Sequence, residues 1–409
     1  MLNKDGQREL CYIVRIDDIE PIVGSDNCEA AVVGGWRIMV RKDTFQLDDL
    51  AIYFEIDSHV DTTKPEFEFL AKKHGNIKTQ KYTFGGKNSG FYSQGLLMSA
   101  EDFGWKFHDG LIIKNDGKIL REGDFLTQEL GVKYIEDEDN KRKAKVNPDA
   151  HINSALARHP KIAKKYGKII KKNKFLKWLF LALYGGKKPS SWPVGVPKTD
   201  EERIENRAWT LEDQTKEWIA TEKIDGTSTT FYLSRGKGLT KPVYLVCSRN
   251  VVFDTPDKKN YYSDTIGSNV YLEMSNKYNV REALEKLLVQ RPSADWVAVQ
   301  AETFGASIQK RDYSMKDHEI RAFNLRYSDC GRVGTLDMRD TLEPLGIPCV
   351  PIISEGMTLP ATVEELRAFV HSAPSAIDGG MKEGIVFRTL DGQDSFKCVD
   401  PEFLVKYHA

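Results

Sequence analysis

Glu222-Lys223-Ile224-Asp225-Gly226-Thr227 separates two apolar runs, Trp218-Ile219-Ala220 before it and Thr229-Thr230-Phe231-Tyr232-Leu233 after it. Both runs have the β-branched and aromatic composition of strands, so the Asp-Gly between them reads as a tight turn. A lysine at such a turn, followed by a glycine that leaves the backbone approachable, sets an amine where a phosphate can come close. The amine becomes a covalent nucleophile if its pKa falls, which neighbouring cations and desolvation both achieve. Taken alone, Lys-x-Asp-Gly is equally the tip of a surface hairpin, and its weight depends on what surrounds it.

Downstream, strand-like runs (Ser228 to Leu233, Val243 to Val246, Trp296 to Gln300, Ile385 to Phe387) alternate with helical periodicity at Tyr278 to Val289 and Val363 to Val370. That pattern predicts an α+β domain over 198–409. Upstream, residues 8 to about 135 hold short strands: Leu10 to Val14, Ala30 to Val33, Arg37 to Val40 and Leu50 to Ile56. Gly24-Ser25-Asp26-Asn27, Gly34-Gly35 and Leu47-Asp48-Asp49 punctuate them, and the pattern resumes at Gly95 to Met98 and Gly123 to Leu126 after a polar insertion near 61–90. Closely spaced strands of this kind suit a small barrel or a sandwich over 1–137, an OB-like β-barrel being the first choice.

Between the two lies a basic segment, 138–197. From Arg158 to Lys188 there are eleven Lys or Arg residues and no Asp or Glu, inside a chain of 409 residues with net charge −1. Ile162, Tyr166, Ile169 and Ile170 recur at helical spacing, and Trp178-Leu179-Phe180-Leu181-Ala182-Leu183-Tyr184 follows. This reads as one or two amphipathic helices closed by a Pro/Ser/Gly stretch ending at Pro197. A lysine face of this kind is either solvated or turned toward nucleic acid, with a membrane surface the third option. No run reaches the ~20 apolar residues that span a bilayer, and Met1 to Gly6 carries no secretory core. Six scattered cysteines without a Cys-x-x-Cys pair predict neither a zinc site nor disulfides, and fit a cytoplasmic or other reducing intracellular compartment.

The order of motifs from Lys223 to Lys406 resembles the covalent nucleotidyltransferase superfamily of RNA ligases, DNA ligases and capping guanylyltransferases. Lys223-Ile224-Asp225-Gly226 is similar to its nucleophile motif, and Ser248-Arg249-Asn250 to the motif whose arginine nears the nucleotide. Gln300-Ala301-Glu302-Thr303-Phe304-Gly305 resembles the motif whose carboxylate binds the ribose. Ile320-Arg321-Ala322-Phe323-Asn324 resembles the strand whose aromatic residue stacks on the purine. Glu383-Gly384-Ile385-Val386-Phe387-Arg388 resembles the metal-binding motif. Ser395-Phe396-Lys397, with Phe403-Leu404-Val405-Lys406, resembles the last, phosphate-holding motif. Pro197-Lys198-Thr199-Asp200-Glu201-Glu202-Arg203 is similar to a segment of RNA ligases whose OB domain comes first. Val33 to Trp36, Ala51 to Ser58 and Ser93 to Leu97 resemble that OB domain.

The resemblance implies an ATP-dependent RNA ligase with Lys223 carrying AMP. Arg203, Glu222, Ile224, Asp225, Arg249, Glu302, Phe323, Glu383 and Lys397 would bind ATP, and Asp225 and Glu383 would hold Mg2+ or Mn2+. Its partners would be RNA ends, in a nicked duplex, with the basic linker near nucleic acid, no membrane, and a monomeric protein. DNA ligases and capping enzymes carry their OB domain after the last lysine motif. Only a dozen residues follow Lys397, which lowers both alternatives. The family's second lysine in that motif is missing where Ser395 stands, so the second basic group is either absent or supplied by Lys406. Two other functions stay open at this level: a nucleic-acid-binding protein that has lost catalysis, and a capping-type guanylyltransferase that would choose GTP.

Overall fold

The computed structural model describes residues 8–84, 90–135, 152, 156, 159–184, 192–198, 201–236, 241–254 and 269–408. In the N-terminal domain, β1 (Cys11–Arg15) and β6 (Leu96–Met98) flank β5 (Leu50–Phe54), both antiparallel to it, with Ile13 opposite Ile52. A second sheet is the meander of β2 (Asp18–Pro21), β3 (Cys28–Val33) and β4 (Trp36–Arg41). Side chains alternate across β1, so Cys11 and Ile13 enter one apolar cluster while Tyr12 and Val14 enter another. Burial on both faces explains why Leu10 to Val14 reads as an unbroken apolar run. The insertion near 61–90 adds to this core: a 3-10 helix, Pro65–Lys73, buries Phe67 and Leu70. Phe125, expected in a strand, makes only an isolated bridge to Tyr12.

The basic segment forms two helices, α1 (Pro160–Lys172) and α2 (Lys174–Tyr184). Of the apolar residues expected to share one face of α1, Ile162 and Ile170 pack inward, but Tyr166 and Ile169 are exposed. No helix among the described residues is long and apolar enough to cross a membrane. All six cysteines are free.

The C-terminal domain is built on two antiparallel sheets. One runs in the order β13 (Ile352–Met357), β7 (Trp218–Lys223), β14 (Gly384–Thr389), β15 (Ser395–Val399). Trp218 and Ala220 of β7 pack with Ile385, Phe387 and Phe396 against Leu366 and Val370 of α6 (Val363–Ser372). Thr362 opens that helix in a reciprocal capping box with Glu365. By strand alternation Thr221 and Lys223 lie on the opposite face. The larger sheet contains β10 (Val252–Asp254), β9 (Val243–Ser248), β8 (Thr227–Ser234), β11 (Trp296–Gly305) and β12 (His318–Tyr327), edged by Gly331–Arg332. Helices α3 (Val270–Lys277), α4 (Val280–Gln290) and α5 (Thr335–Leu342) cover one of its faces. Val196 and Trp192 pack against Tyr232, Leu245 and Ala298 on the other, and Gln300 Nε2 donates to the Pro197 carbonyl at 2.9 Å.

The domains meet over residues 203–206. Gly35 N donates to the Glu205 carbonyl at 2.9 Å, and a Cβ at Gly35 would lie 2.7 Å from the Glu205 Cα, so only glycine allows this approach. Asn206 receives the Trp36 indole proton at 2.7 Å and donates to Glu55 at 2.8 Å, where the Tyr12 hydroxyl also donates at 3.0 Å. Arg367 of α6 bonds both Glu205 (2.8 Å) and Gln94 (2.7 Å). Asn206→Ala would leave Trp36 and Glu55 buried without this partner, which costs about 2 kcal/mol. A urea titration of the variant should show a midpoint lowered accordingly; an unchanged midpoint would show that the network carries no stability.

Candidate active site

Lys223 ends β7 opposite Gly384 of β14, and its Nζ lies 2.6 Å from Glu383 Oε2. Burial works against the ammonium charge, but the Glu383 and Glu302 carboxylates outweigh it and raise the Lys223 pKa. The protein groups around this amine are carboxylates, so a lowered pKa here would have to come from a bound cation. Glu302, on β11, has its carboxyl pushed up to about 8, first by burial and then by Glu383 and Asp225, with Lys223 opposing. Asp225 is buried, its amide donates to the Tyr313 hydroxyl at 2.7 Å, and its Oδ2 has no hydrogen-bond partner.

Gly226 makes this convergence possible. A Cβ there would stand 2.3 Å from the Thr303 carbonyl oxygen, so the turn after Lys223 can lie against β11 only without a side chain. Ile224 faces an apolar wall formed with Phe304, Tyr313 and Val350 and flanked by Phe323, Met315 and Ile377. Phe323 is only partly buried there.

Glu222 lies differently. Its two oxygens accept from the Ser375 hydroxyl (2.6 Å) and the Ala376 amide (2.7 Å), and burial raises its pKa. It anchors the loop that carries Ile377 to the apolar wall. Arg203 is buried between the domains, 3.6 Å from Asp57 of the N-terminal domain, with Nε and Nη1 lacking hydrogen-bond partners. Its backbone bridges Lys397, whose amide donates to the Glu202 carbonyl at 2.8 Å. Lys397 lies opposite Val386, beside the strand that leads from Glu383. Arg249, half-exposed after β9, stacks at 6.0 Å on Tyr134 and is near enough to lower the Glu302 pKa.

Ser395 bonds Glu201, which also receives Arg388 at 2.9 Å, so the position of the missing lysine clamps the crossing segment to the sheet. Lys406 is exposed and lies over the Tyr407 ring. Two residues escaped the sequence reading. Tyr313 holds the Asp225 amide, and His408 of α7 (Pro401–His408) brings Nε2 to 3.2 Å from Asp225 Oδ1. That contact raises the His408 pKa, and Lys78 of the N-terminal domain bonds the His408 carbonyl at 2.8 Å. No local pattern announces either residue, because each reaches the site through tertiary packing.

No cluster of three or more His, Cys, Asp or Glu arranged to hold a metal occurs among the described residues. Asp225 and Glu383 nonetheless fit a hydrated magnesium-type ion, which takes one or two carboxylates and keeps several waters. The orphaned, buried Asp225 Oδ2 is the atom such an ion would satisfy.

Residues 216–408 match the RNA ligase family model, and residues 10–99 match a model described as an OB-fold domain. The C-terminal domain thus belongs to the RNA ligase family, behind an N-terminal OB-fold domain. No curated protein matches the chain in sequence. Among solved structures it is similar to a Naegleria gruberi RNA ligase mutant with ATP and Mn (TM-score 0.68, 23% identity, covering 98% of this chain and 100% of that one). A mutant of that ligase with AMP and Mn gives TM-score 0.69 at 23% identity, covering 98% and 99%. The same ligase with PPi gives 0.67 at 21%, again covering 98% and 99%. At this identity the likeness speaks for the fold, from the first domain through the last.

Gly226→Ala should move the Lys-Asp turn by the order of 1 Å, a displacement that costs about 100-fold in rate. The check is the rate of self-adenylylation in a variant whose circular dichroism matches the wild type. A rate within twofold would show that the close approach to Thr303 is dispensable.

Proposed function

We propose that this RNA ligase uses ATP to join a 3′-hydroxyl RNA end to a 5′-phosphate end, sealing nicks in a duplex during RNA repair. The carrying observation is the partly buried Lys223 amine, 2.6 Å from Glu383, beside the apolar wall that ends in Phe323. The Lys223 amine, once it has shed its proton, attacks the α-phosphorus of ATP. The bond to the β-phosphate breaks and pyrophosphate leaves, giving lysyl-AMP. The 5′-phosphate of the RNA then displaces Lys223 to form an RNA-adenylate, and the 3′-hydroxyl displaces AMP. Each is an in-line displacement in which positioning and charge neutralisation supply the catalysis.

Phe323 offers a face for adenine, and Glu302 a hydrogen-bonding group for the ribose. Arg203 and Lys397 place fixed positive charge along the phosphates. Arg203's two unpartnered, buried nitrogens support that role, because such donors are costly without an anion. Arg249 would steady the nucleotide from the outer side, next to the N-terminal domain. Glu222 contributes through the loop it anchors. Asp225 and Glu383 would hold Mg2+ or Mn2+, which neutralises charge on the α-phosphate when bound. With Glu383 committed to such an ion, the Lys223 amine would lose the partner that now favours its proton. The ATP, AMP and Mn of the Naegleria gruberi ligase structures support the same cofactors here.

The OB-fold domain, fixed beside Arg203, would grip the duplex, with the protein acting as a monomer in a reducing compartment. Incubation with α-labelled ATP and magnesium should label the wild type after a pyrophosphate strip, and leave Lys223→Ala unlabelled. GTP should not substitute. Label retained in Lys223→Ala would overturn the assignment of the nucleophile. Phe323→Ala should raise the KM for ATP about fivefold, the scale of one lost stacking contact. Steady-state adenylylation kinetics check this, and an unchanged KM would make Phe323 part of the wall only.

A further inference from the structure

Helix α2 is apolar on two opposite sides. Phe180 and Leu181 turn inward, packing in a small core with Ile162, Ala163 and Ile170 of α1. Phe175, Trp178, Leu179, Ala182 and Leu183 recur at spacings of three and four on the other side, and all five are exposed. The exposure is large for such side chains: 65% for Phe175, 64% for Trp178 and 65% for Leu183. Ile169 and Tyr166 of α1 add further exposed apolar surface. A helix that is apolar all round is ordinarily buried, so this outer stripe calls for a partner.

Charge identifies the kind of partner. Between Lys161 and Lys177 the two helices carry Lys161, Lys164, Lys165, Lys168, Lys171, Lys172, Lys174 and Lys177, with no acidic residue. A second copy of this chain would set lysines against lysines. Nucleic acid would suit the lysines and the two aromatic rings, but it offers nothing to Leu179, Ala182 and Leu183. An anionic lipid surface suits every part: acyl chains take the stripe, headgroups take the ammonium groups, and tryptophan favours the boundary. Eleven residues of α2 rise only about 16 Å, which allows the helix to lie in an interface but not to cross the bilayer.

We propose that the α1–α2 hairpin is a peripheral membrane-binding device that seats the protein on anionic lipid by the Phe175–Leu183 stripe. The test is co-sedimentation of the full chain with vesicles of phosphatidylcholine alone or with 30% phosphatidylglycerol. The comparison variant is Trp178→Ser with Leu179→Ser and Leu183→Ser, whose fold is verified by unaltered self-adenylylation. Wild type should pellet with the anionic vesicles only, release as salt rises, and bind at least tenfold more tightly than the variant. Failure to pellet with anionic vesicles would overturn the proposal. So would equal pelleting of the variant. A variant that lost affinity for nicked RNA, while wild type ignored vesicles, would reassign the hairpin to nucleic acid.

Discussion

The ion pair between Lys223 and Glu383 joins the end of one strand to the residue just before its neighbour, and the site is arranged around it. An amine left alone at this depth would lose its proton or its place. A carboxylate left alone would do the same in the other direction. Held 2.6 Å apart, each keeps the other in place, and the carboxylate raises the Lys223 pKa. The Lys223 side chain is therefore held as an ammonium ion. Keeping the pair in this geometry needs rigid surroundings. Gly226 pressed on Thr303, Tyr313 holding the Asp225 amide and Glu222 tying down the 375–377 loop provide them.

Much of this was legible in the sequence. The lysine turn, an OB-fold N-terminal domain and an α+β domain with most of its strands and helices appear close to where patterning put them. They do so because a strand buried on both faces, or a helix with one apolar face, writes its environment into local composition. Helix α4 starts two residues later than the periodicity suggested, because Asn279 takes a left-handed conformation that breaks the chain just before it. The electrostatics of Lys223 were not legible. They depend on Glu302 and Glu383, residues far away in sequence, whose distances from the amine no pattern encodes. His408 is the same case, carried to Asp225 by a helix with no motif of its own.

The basic segment illustrates a different limit. Periodicity correctly marked helices, but it assigned Tyr166 and Ile169 to the packed face with Ile162 and Ile170. Which apolar side of a helix is covered depends on where its neighbour sits. Helix α2, apolar on both sides, could have packed by either. Only the arrangement of α1 and α2 distinguishes the stripe that is used from the one left outside.

The junction at Glu205 and Asn206 has a thermodynamic meaning beyond docking. Its donors and acceptors are shared among Trp36, Glu55, Gln94 and Arg367, which belong to both domains, so neither can melt without stranding polar groups of the other. The two cores behave as one cooperative unit, and a calorimetric scan of the chain would resolve a single endotherm for them. Arg203 sits inside that unit, so its guanidinium inherits the stiffness of both halves instead of the looseness of a linker.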